Sequence, residues 1–173
     1  MVRMICIVVT VFILQVLFGA LAGAFQLTHV PFLLLPIVVF YGAYYQTPME
    51  SFVTCLLVGL LIDILVPMPV GVNLFLAVFM WAVGRLVIGW IGQVDLFAML
   101  GLLYASSTLC RILFYFIYIF IFKKSISFQF YDTFFSGILD AGLGVLLIRI
   151  WNKIFIWFKI SISSKEDNQS WIE

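Results

Sequence analysis

The sequence predicts an all-α membrane protein, a six-transmembrane-helix bundle with short loops. Its composition is the first reason. Of 173 residues, 65% are hydrophobic and 10% are charged, whereas an average soluble domain has roughly 25% charged residues. The mean hydropathy is +1.24. A soluble domain of this composition would have a largely apolar surface, and a disordered chain needs far more polar residues. A net charge of +1 also argues against a nucleic-acid binder.

The second reason is that the apolar residues fall into six long runs. About 20 apolar residues cross the hydrocarbon core of a bilayer as a helix. Residues 1–158 are therefore predicted to be one six-span domain, and residues 159–173 a short polar cytoplasmic tail. Strands of membrane barrels alternate apolar and polar residues, but these runs are apolar on all faces, which indicates helices. The predicted spans are about 4–25, 30–45, 51–66, 71–91, 96–122 and 130–151.

The first two runs carry signals at their ends. A signal peptide is an alternative for the first run, because Ala22-Gly23-Ala24 resembles a cleavage site. However, the run is longer than the usual apolar region of about 7–15 residues, which favours a retained helix. In the second run, Pro31 suits the first turn of a helix and Pro36 should kink it. The polar segment 46–50 then ends this run.

Proline, glycine and polar residues delimit the later runs. Pro67 and Pro69 cannot continue the third helix and predict a tight turn before Gly71. Residues 92–95 separate the fourth run from the fifth, and Lys123-Lys124-Ser125 separates the fifth from the sixth. The connections between the runs are short.

The distribution of Lys and Arg predicts the orientation. Six spans put both termini on the same side, and basic residues near span ends favour the cytoplasm. The two lysines on the opposite side are a signal against this orientation. Five basic residues against two nevertheless favour cytoplasmic termini. The side of the termini holds Arg3, Arg149, Lys153, Lys159 and Lys165, and the other holds Lys123 and Lys124.

Charged residues within the spans are the first candidates for function, because each costs about 2.5–3.5 kcal/mol at a helix centre. Arg85, Arg111 and Asp140 lie in spans four, five and six, and Asp63 lies near the outer end of span three. Their charges sum to zero, so pairing inside the bundle is the favoured interpretation. Contact with a partner or lipid and a transport path are the alternatives. For Asp63, capping of the following helix is a further structural explanation.

Small residues at four-residue spacing predict close helix contacts. Gly19 and Gly23 form such a face in span one, and Gln15 lies one turn earlier. The face suits either packing against a neighbouring span or docking of a partner's helix. Gly137 and Gly144 are predicted to do the same in span six, where Gly137 to Asp140 loosely echoes Gly59 to Asp63 with a spacing shorter by one.

The chain contains no pattern typical of an enzyme or a metal site. Cys6, Cys55 and Cys110 lie in apolar runs without ligand-like spacing, and His29 is the sole histidine. There is no Ser/His/Asp set and no glycine-rich phosphate loop. A non-enzymatic protein without cofactor or metal is therefore expected.

The central segment resembles the rod shape-determining protein MreD family of bacteria. The matching positions are Gly59, Asp63, Pro69 and Gly71, that is, a Gly four residues before an Asp, then a short turn and another apolar span. A Pro-led apolar run ending at tyrosines and an aromatic segment leading to a Gly and basic residues also resemble the family. These further positions are Pro31 or Pro36, Tyr41, Phe130-Tyr131, Gly137, Arg149 and Lys153.

The resemblance implies a non-enzymatic inner-membrane subunit of the cell-elongation (rod) complex. Such a subunit binds the single-span protein MreC, and through it helps couple MreB filaments to peptidoglycan synthesis by RodA and a class B penicillin-binding protein. The resemblance also implies the fold of the S components of energy-coupling-factor transporters. A vitamin-binding S component is therefore the alternative function, although the short apolar loops offer few groups to hold a vitamin. An intramembrane enzyme or lipid-handling protein is a third possibility.

Overall fold

The structure is a computed structural model that describes residues 2–24, 34–65, 71–91, 94–120, 123 and 130–157. No strand occurs in these ranges. The predicted all-α fold with six helices is confirmed. The helices are α1 (Val2–Ala24), α2 (Leu34–Tyr45), α3 (Pro48–Leu65), α4 (Val72–Ile91), α5 (Leu96–Phe120) and α6 (Phe130–Trp157).

Five of these helices, all except α2, are long and apolar enough to cross a membrane. The chain is therefore a multi-pass membrane protein. Helix α2 has 12 residues, or about 18 Å at 1.5 Å per residue, which is shorter than a hydrocarbon core of about 30 Å. Residues 25–33, which include the last residue of predicted span one and the first four residues of predicted span two, lie outside the described residues, as does the predicted tail 159–173. Helix α6 continues to Trp157, beyond the predicted end of span six at residue 151.

Helix α2 is the centre of the bundle. It packs against α3, α4, α5 and α6, and every residue from Leu34 to Ala43 is buried. A helix that is apolar on all faces is stable in this position, because protein surrounds it. The consecutive pairs α3–α4 and α5–α6 also pack closely. Helix α1 is more peripheral, since it packs mainly on α3 and only slightly on α2.

Glycines in α6 permit its close approach to α5. A Cβ atom added at Gly137 would lie 3.0 Å from Oγ1 of Thr108 and 3.1 Å from the Tyr104 ring. A Cβ added at Gly144 would lie 3.1 Å from Leu103 and 3.2 Å from Ile37. Small residues give transmembrane helices their packing energy by letting the backbones approach. The two glycines therefore act in internal packing.

The outer surface of the bundle is apolar. Large hydrophobic side chains are exposed on each of the long helices, and this is the expected state where lipid tails replace water as the solvent. Because the same residue types face both lipid and protein, hydrophobicity alone does not distinguish the two faces of a helix. Examples of exposed side chains are Ile5, Ile64, Phe75, Leu86, Phe97, Phe116 and Ile138.

Candidate functional site

The end of α3 and the start of α4 are joined by one carboxylate, which we call the Asp63 clasp. Oδ2 of Asp63 accepts hydrogen bonds from the backbone N–H groups of Gly71 at 2.9 Å and Leu74 at 3.1 Å. Oδ1 accepts from the backbone N–H of Asn73 and from its side-chain Nδ2, both at 3.0 Å. The clasp thus consists of Asp63, Gly71, Asn73 and Leu74.

The clasp satisfies both the free N–H groups at the start of α4 and the buried carboxylate of Asp63. The first N–H groups of any helix lack partners within the helix, and its N-terminus carries a partial positive charge. Asp63 is only 3% exposed, so its negative charge also needs compensation. The helix start supplies donors and the carboxylate supplies acceptors. Gly71 has a φ of +100°, a backbone conformation that favours glycine.

Gly59 brings the two helices close enough for the clasp to form. It lies one turn before Asp63 on α3 and is buried against α4. A Cβ atom added there would lie 2.9 Å from Cα of Leu74, 3.0 Å from Cβ of Ala77 and 3.1 Å from the carbonyl oxygen of Asn73. Two of these three atoms are backbone, which cannot turn away as a flexible side chain does.

A second buried carboxylate, Asp140, joins α6 to α5. Its Oδ2 accepts a hydrogen bond from Oγ of Ser107 and lies 2.7 Å from Nη2 of Arg111. The Asp140 side chain is 3% exposed and that of Arg111 is 12% exposed. This is a nearly buried ion pair with a neutral donor added. Such a pair specifies which helix faces meet, since neither charge is stable there alone.

Two arginines bind the C-terminal end of α2. Nη1 of Arg85 donates to the carbonyl oxygens of Ala43 at 2.8 Å and Gln46 at 3.4 Å. Nη1 of Arg3 donates to the carbonyl oxygen of Tyr45 at 3.4 Å. The last carbonyls of a helix lack intrahelical partners and carry partial negative charge. The two guanidinium groups therefore cap α2 and hold α1 and α4 against it.

The sequence favours mutual pairing of the intramembrane charges, and the structure divides them differently. Arg111 and Asp140 form an ion pair. Asp63 and Arg85 do not meet each other, since each bonds backbone groups at a helix end. The reason is physical: a helix terminus is a partial charge, so it can replace an opposite side chain.

Gly19, on the small-residue face of α1, does not pack against a neighbouring helix as Gly137 and Gly144 of α6 do. Gly19 is exposed, and a Cβ added there would meet no atom within 4 Å. Gln15 is half-buried, and Gly23 lies in the last turn of α1. Internal packing therefore does not explain Gly19, and its predicted role in docking stays a prediction. Pro69 of the family-like motif lies outside the described residues.

Several polar contacts are not predicted by the sequence pattern. Asn73 adds a side-chain donor to the Asp63 clasp, and its place just after the tight turn is the available signal. Arg3 has a structural role besides its contribution to orientation, since it is buried against α2. Ser107 lies one turn before Arg111 on the same face, a spacing that could have suggested a shared partner.

Two apolar crevices open on the sides of the bundle. One, of about 120 Å³, lies between α2, α4 and α5 near Gly84 and Ser106. The other, of about 260 Å³, lies between α1, α2 and α6, and we call it the α1–α6 crevice. Within the described part of the chain, no three His, Cys, Asp or Glu side chains group as metal ligands. The buried polar groups described above thus connect helices to one another, and the two crevices are apolar.

Comparison with known proteins adds no assignment: no family model, no curated protein and no solved structure matches the chain.

Proposed function

We propose that this chain is a non-enzymatic adaptor of the bacterial cell-elongation complex, similar to the MreD family, that binds an MreC-like single-span protein in the inner membrane. The Asp63 clasp carries the proposal. Two of its residues, Asp63 and Gly71, are positions through which the chain resembles that family. A third such position, Gly59, lets α3 come close enough to α4 for the clasp to form. Each of the three therefore has a physical reason to be of that residue type.

The use of the intramembrane charges supports an adaptor. Asp63, Arg85, Arg111 and Asp140 all bond groups of the bundle itself. A path for a polar substrate needs polar groups that face a cavity, whereas the two crevices described above are apolar. Rigid helix joints and apolar outer surfaces suit a protein that positions other membrane helices.

The charge distribution supports cytoplasmic termini. The N-terminus of α1 and the C-termini of α2 and α6 lie at one end of the bundle, because Arg3 bonds Tyr45 and Tyr41 bonds Asn152. Arg149 is exposed near this same end. Basic residues near span ends favour the cytoplasmic side.

Depletion and co-purification test the proposal together. Under it, cells depleted of the protein lose rod shape and become round, and the tagged full chain extracted from membranes carries a single-span MreC-like protein. Recovery with a pair of ATPases and a tightly bound vitamin, with rod shape retained, would establish the transporter alternative and overturn the proposal.

A pair of matched variants sharpens the co-purification. Gly19 and Gly89 are both in open space on transmembrane helices, α1 and α4. Gly19→Leu and Gly89→Leu should both leave folding intact. If the predicted docking face on α1 contributes, only Gly19→Leu lowers recovery of the single-span partner. Equal recovery from both variants would remove the α1 face from the proposal but not the adaptor function itself.

A further inference from the structure

The α1–α6 crevice exists because α1 does not pack closely against α6. Helix α2 forms its floor. Leu14 and Phe18 come from α1, and Leu143, Leu146, Leu147 and Ile150 are among the residues that α6 contributes. Its wall is apolar: Asp140 is also a lining residue, but its carboxylate bonds Arg111 and Ser107.

In a membrane, an apolar crevice that is open to the lipid is occupied by apolar groups such as acyl chains or side chains. Its volume is about 260 Å³, whereas an apolar protein cavity of about 150 Å³ already binds benzene. An empty space would forfeit dispersion contacts along its whole wall. Leu146 and Ile150 both line it and are 53% and 42% exposed, so it is open toward the lipid.

The same face of α6 carries charge where the crevice ends. Lys153 follows Ile150 by three residues, which places it about 4.5 Å further along the helix axis and on the same side. It is exposed. Trp157, one turn beyond Lys153, is 79% exposed. A lysine and a tryptophan at this depth are typical of the headgroup region.

We propose that the α1–α6 crevice binds one acyl chain of an anionic phospholipid and that Lys153 binds its headgroup. The crevice accounts for the chain, and the lysine accounts for the charge of the headgroup. Trp157 borders the headgroup with its indole. A partner's transmembrane helix is the competing occupant, but an apolar helix face gives no role to the lysine. The proposal does not rest on the adaptor function, since a lipid can bind in the crevice whatever the function of the protein is.

Lipid binding to the purified full chain tests the headgroup part. The delipidated protein is titrated with phosphatidylglycerol or phosphatidylcholine of identical acyl chains, and single binding events are counted by native mass spectrometry. We expect a preference for phosphatidylglycerol. Lys153→Gln should weaken that lipid roughly fivefold, with phosphatidylcholine unchanged. Lys123→Gln is the control, because Lys123 is also exposed but lies after α5, at the other end of the bundle.

A second pair of variants tests the crevice. Leu143 lines it, whereas Leu139, one turn earlier on α6, is 55% exposed and does not line it. Leu143→Trp should abolish the tight phosphatidylglycerol event, and Leu139→Trp should leave it intact. Equal binding by both variants, or no preference between the two lipids in the wild type, would overturn the proposal.

Photo-cross-linking of the wild-type chain provides a test that no folding defect can confuse. Phosphatidylglycerol with a diazirine in the middle of one acyl chain should label peptides containing Leu14–Phe18 and Leu143–Ile150. Labels spread over all lipid-facing helices would contradict a defined site. Exclusion of the probe from these peptides by a co-purified single-span protein would show that a helix is the occupant, and would also overturn it.

Discussion

Asp63 and Asp140 are two equally buried carboxylates that are stabilised in different ways. They are 3% and 2% exposed, and each follows a glycine, Gly59 or Gly137, by one helical turn. Asp63 bonds neutral backbone N–H groups at the start of α4. Asp140 bonds a full positive charge, the guanidinium of Arg111 on α5. The difference teaches that the cost of losing a buried carboxylate depends on whether it bonds backbone dipoles or a full positive charge.

The glycines of the two regions differ in the same sense. At Gly59 the atoms that a Cβ would meet include the backbone of Leu74 and Asn73, whereas at Gly137 they are side-chain atoms, Oγ1 of Thr108 and ring carbons of Tyr104. A side chain can shift more easily than backbone. The contact between α3 and α4 therefore depends mainly on a small residue at Gly59, whereas the contact between α5 and α6 depends mainly on the Arg111–Asp140 ion pair.

The largest expected effect is that of Asp140→Ala. The substitution removes one partner of the nearly buried Arg111–Asp140 ion pair, and breaking a buried pair on one side costs about 3–5 kcal/mol. The free energy of unfolding in mixed detergent–SDS micelles measures this cost. Removing both charges, in Asp140→Ala with Arg111→Met, should restore most of the stability. A double variant no more stable than the single one would show that the buried charge of Arg111 is not the cause of the loss.

Gly59→Ala comes next. Its Cβ would overlap the backbone of α4 and push the α3–α4 joint apart, and such overpacking typically costs about 1–3 kcal/mol. The same unfolding measurement applies. Gly137→Ala should cost less because its neighbours can move, and Gly19→Ala, in open space, is the neutral control. Equal losses at Gly59 and Gly19 would contradict the shape argument.

Asp63→Ala should destabilise the protein less than Asp140→Ala does. It removes the acceptor of backbone N–H groups and breaks no ion pair, and loss of a helix cap costs about 0.5–2 kcal/mol. Hydrogen exchange at the amides of Gly71, Asn73 and Leu74 should become faster. In Asp63→Asn the remaining carbonyl oxygen should preserve part of the protection. A loss of stability as large as that of Asp140→Ala would break the comparison between the two regions.

Ser107→Ala should also cost less than Asp140→Ala. It removes one hydrogen bond to Asp140 but leaves the ion pair, and a hydrogen bond to a charged group contributes about 1.5–3 kcal/mol. Ser106→Ala is the matched control, because the Ser106 hydroxyl bonds the Leu103 carbonyl of its own helix. A double-mutant cycle with Asp140→Ala should show coupling for Ser107 and none for Ser106.

The helices could be predicted from the sequence because each is an uninterrupted apolar run. Their limits followed only in part, since α3 begins at Pro48 within the polar segment 46–50 and α6 continues to Trp157. The capping role of Asp63 could be foreseen as well, since the turn and the next helix follow within a few residues. The partners of Arg85 and Arg111 could not. Both arginines lie in helices that are apolar on all faces, so the pattern does not show which side of each helix faces which neighbour.

The crevice was beyond sequence reasoning for a related reason. Leu14 and Leu143 look like any other apolar residues of a span, and a gap between helices depends on which helices are neighbours. The central position of α2 could not be predicted either, because its 12 residues look like a short transmembrane span and not like the core of a bundle. Both features depend on how segments distant in the sequence pack together.

The Asp63 clasp has a consequence for biosynthesis. Its donors lie 8 to 11 residues after the carboxylate, so α3 emerging alone from the ribosome carries an uncompensated charge near its end. The charge is satisfied only once the start of α4 has formed. We therefore expect the insertion machinery to release α3 and α4 into the bilayer together, as a hairpin. A glycosylation-reporter series truncated before and after residue 74 would reveal a delay in the integration of α3 that Asp63→Leu removes.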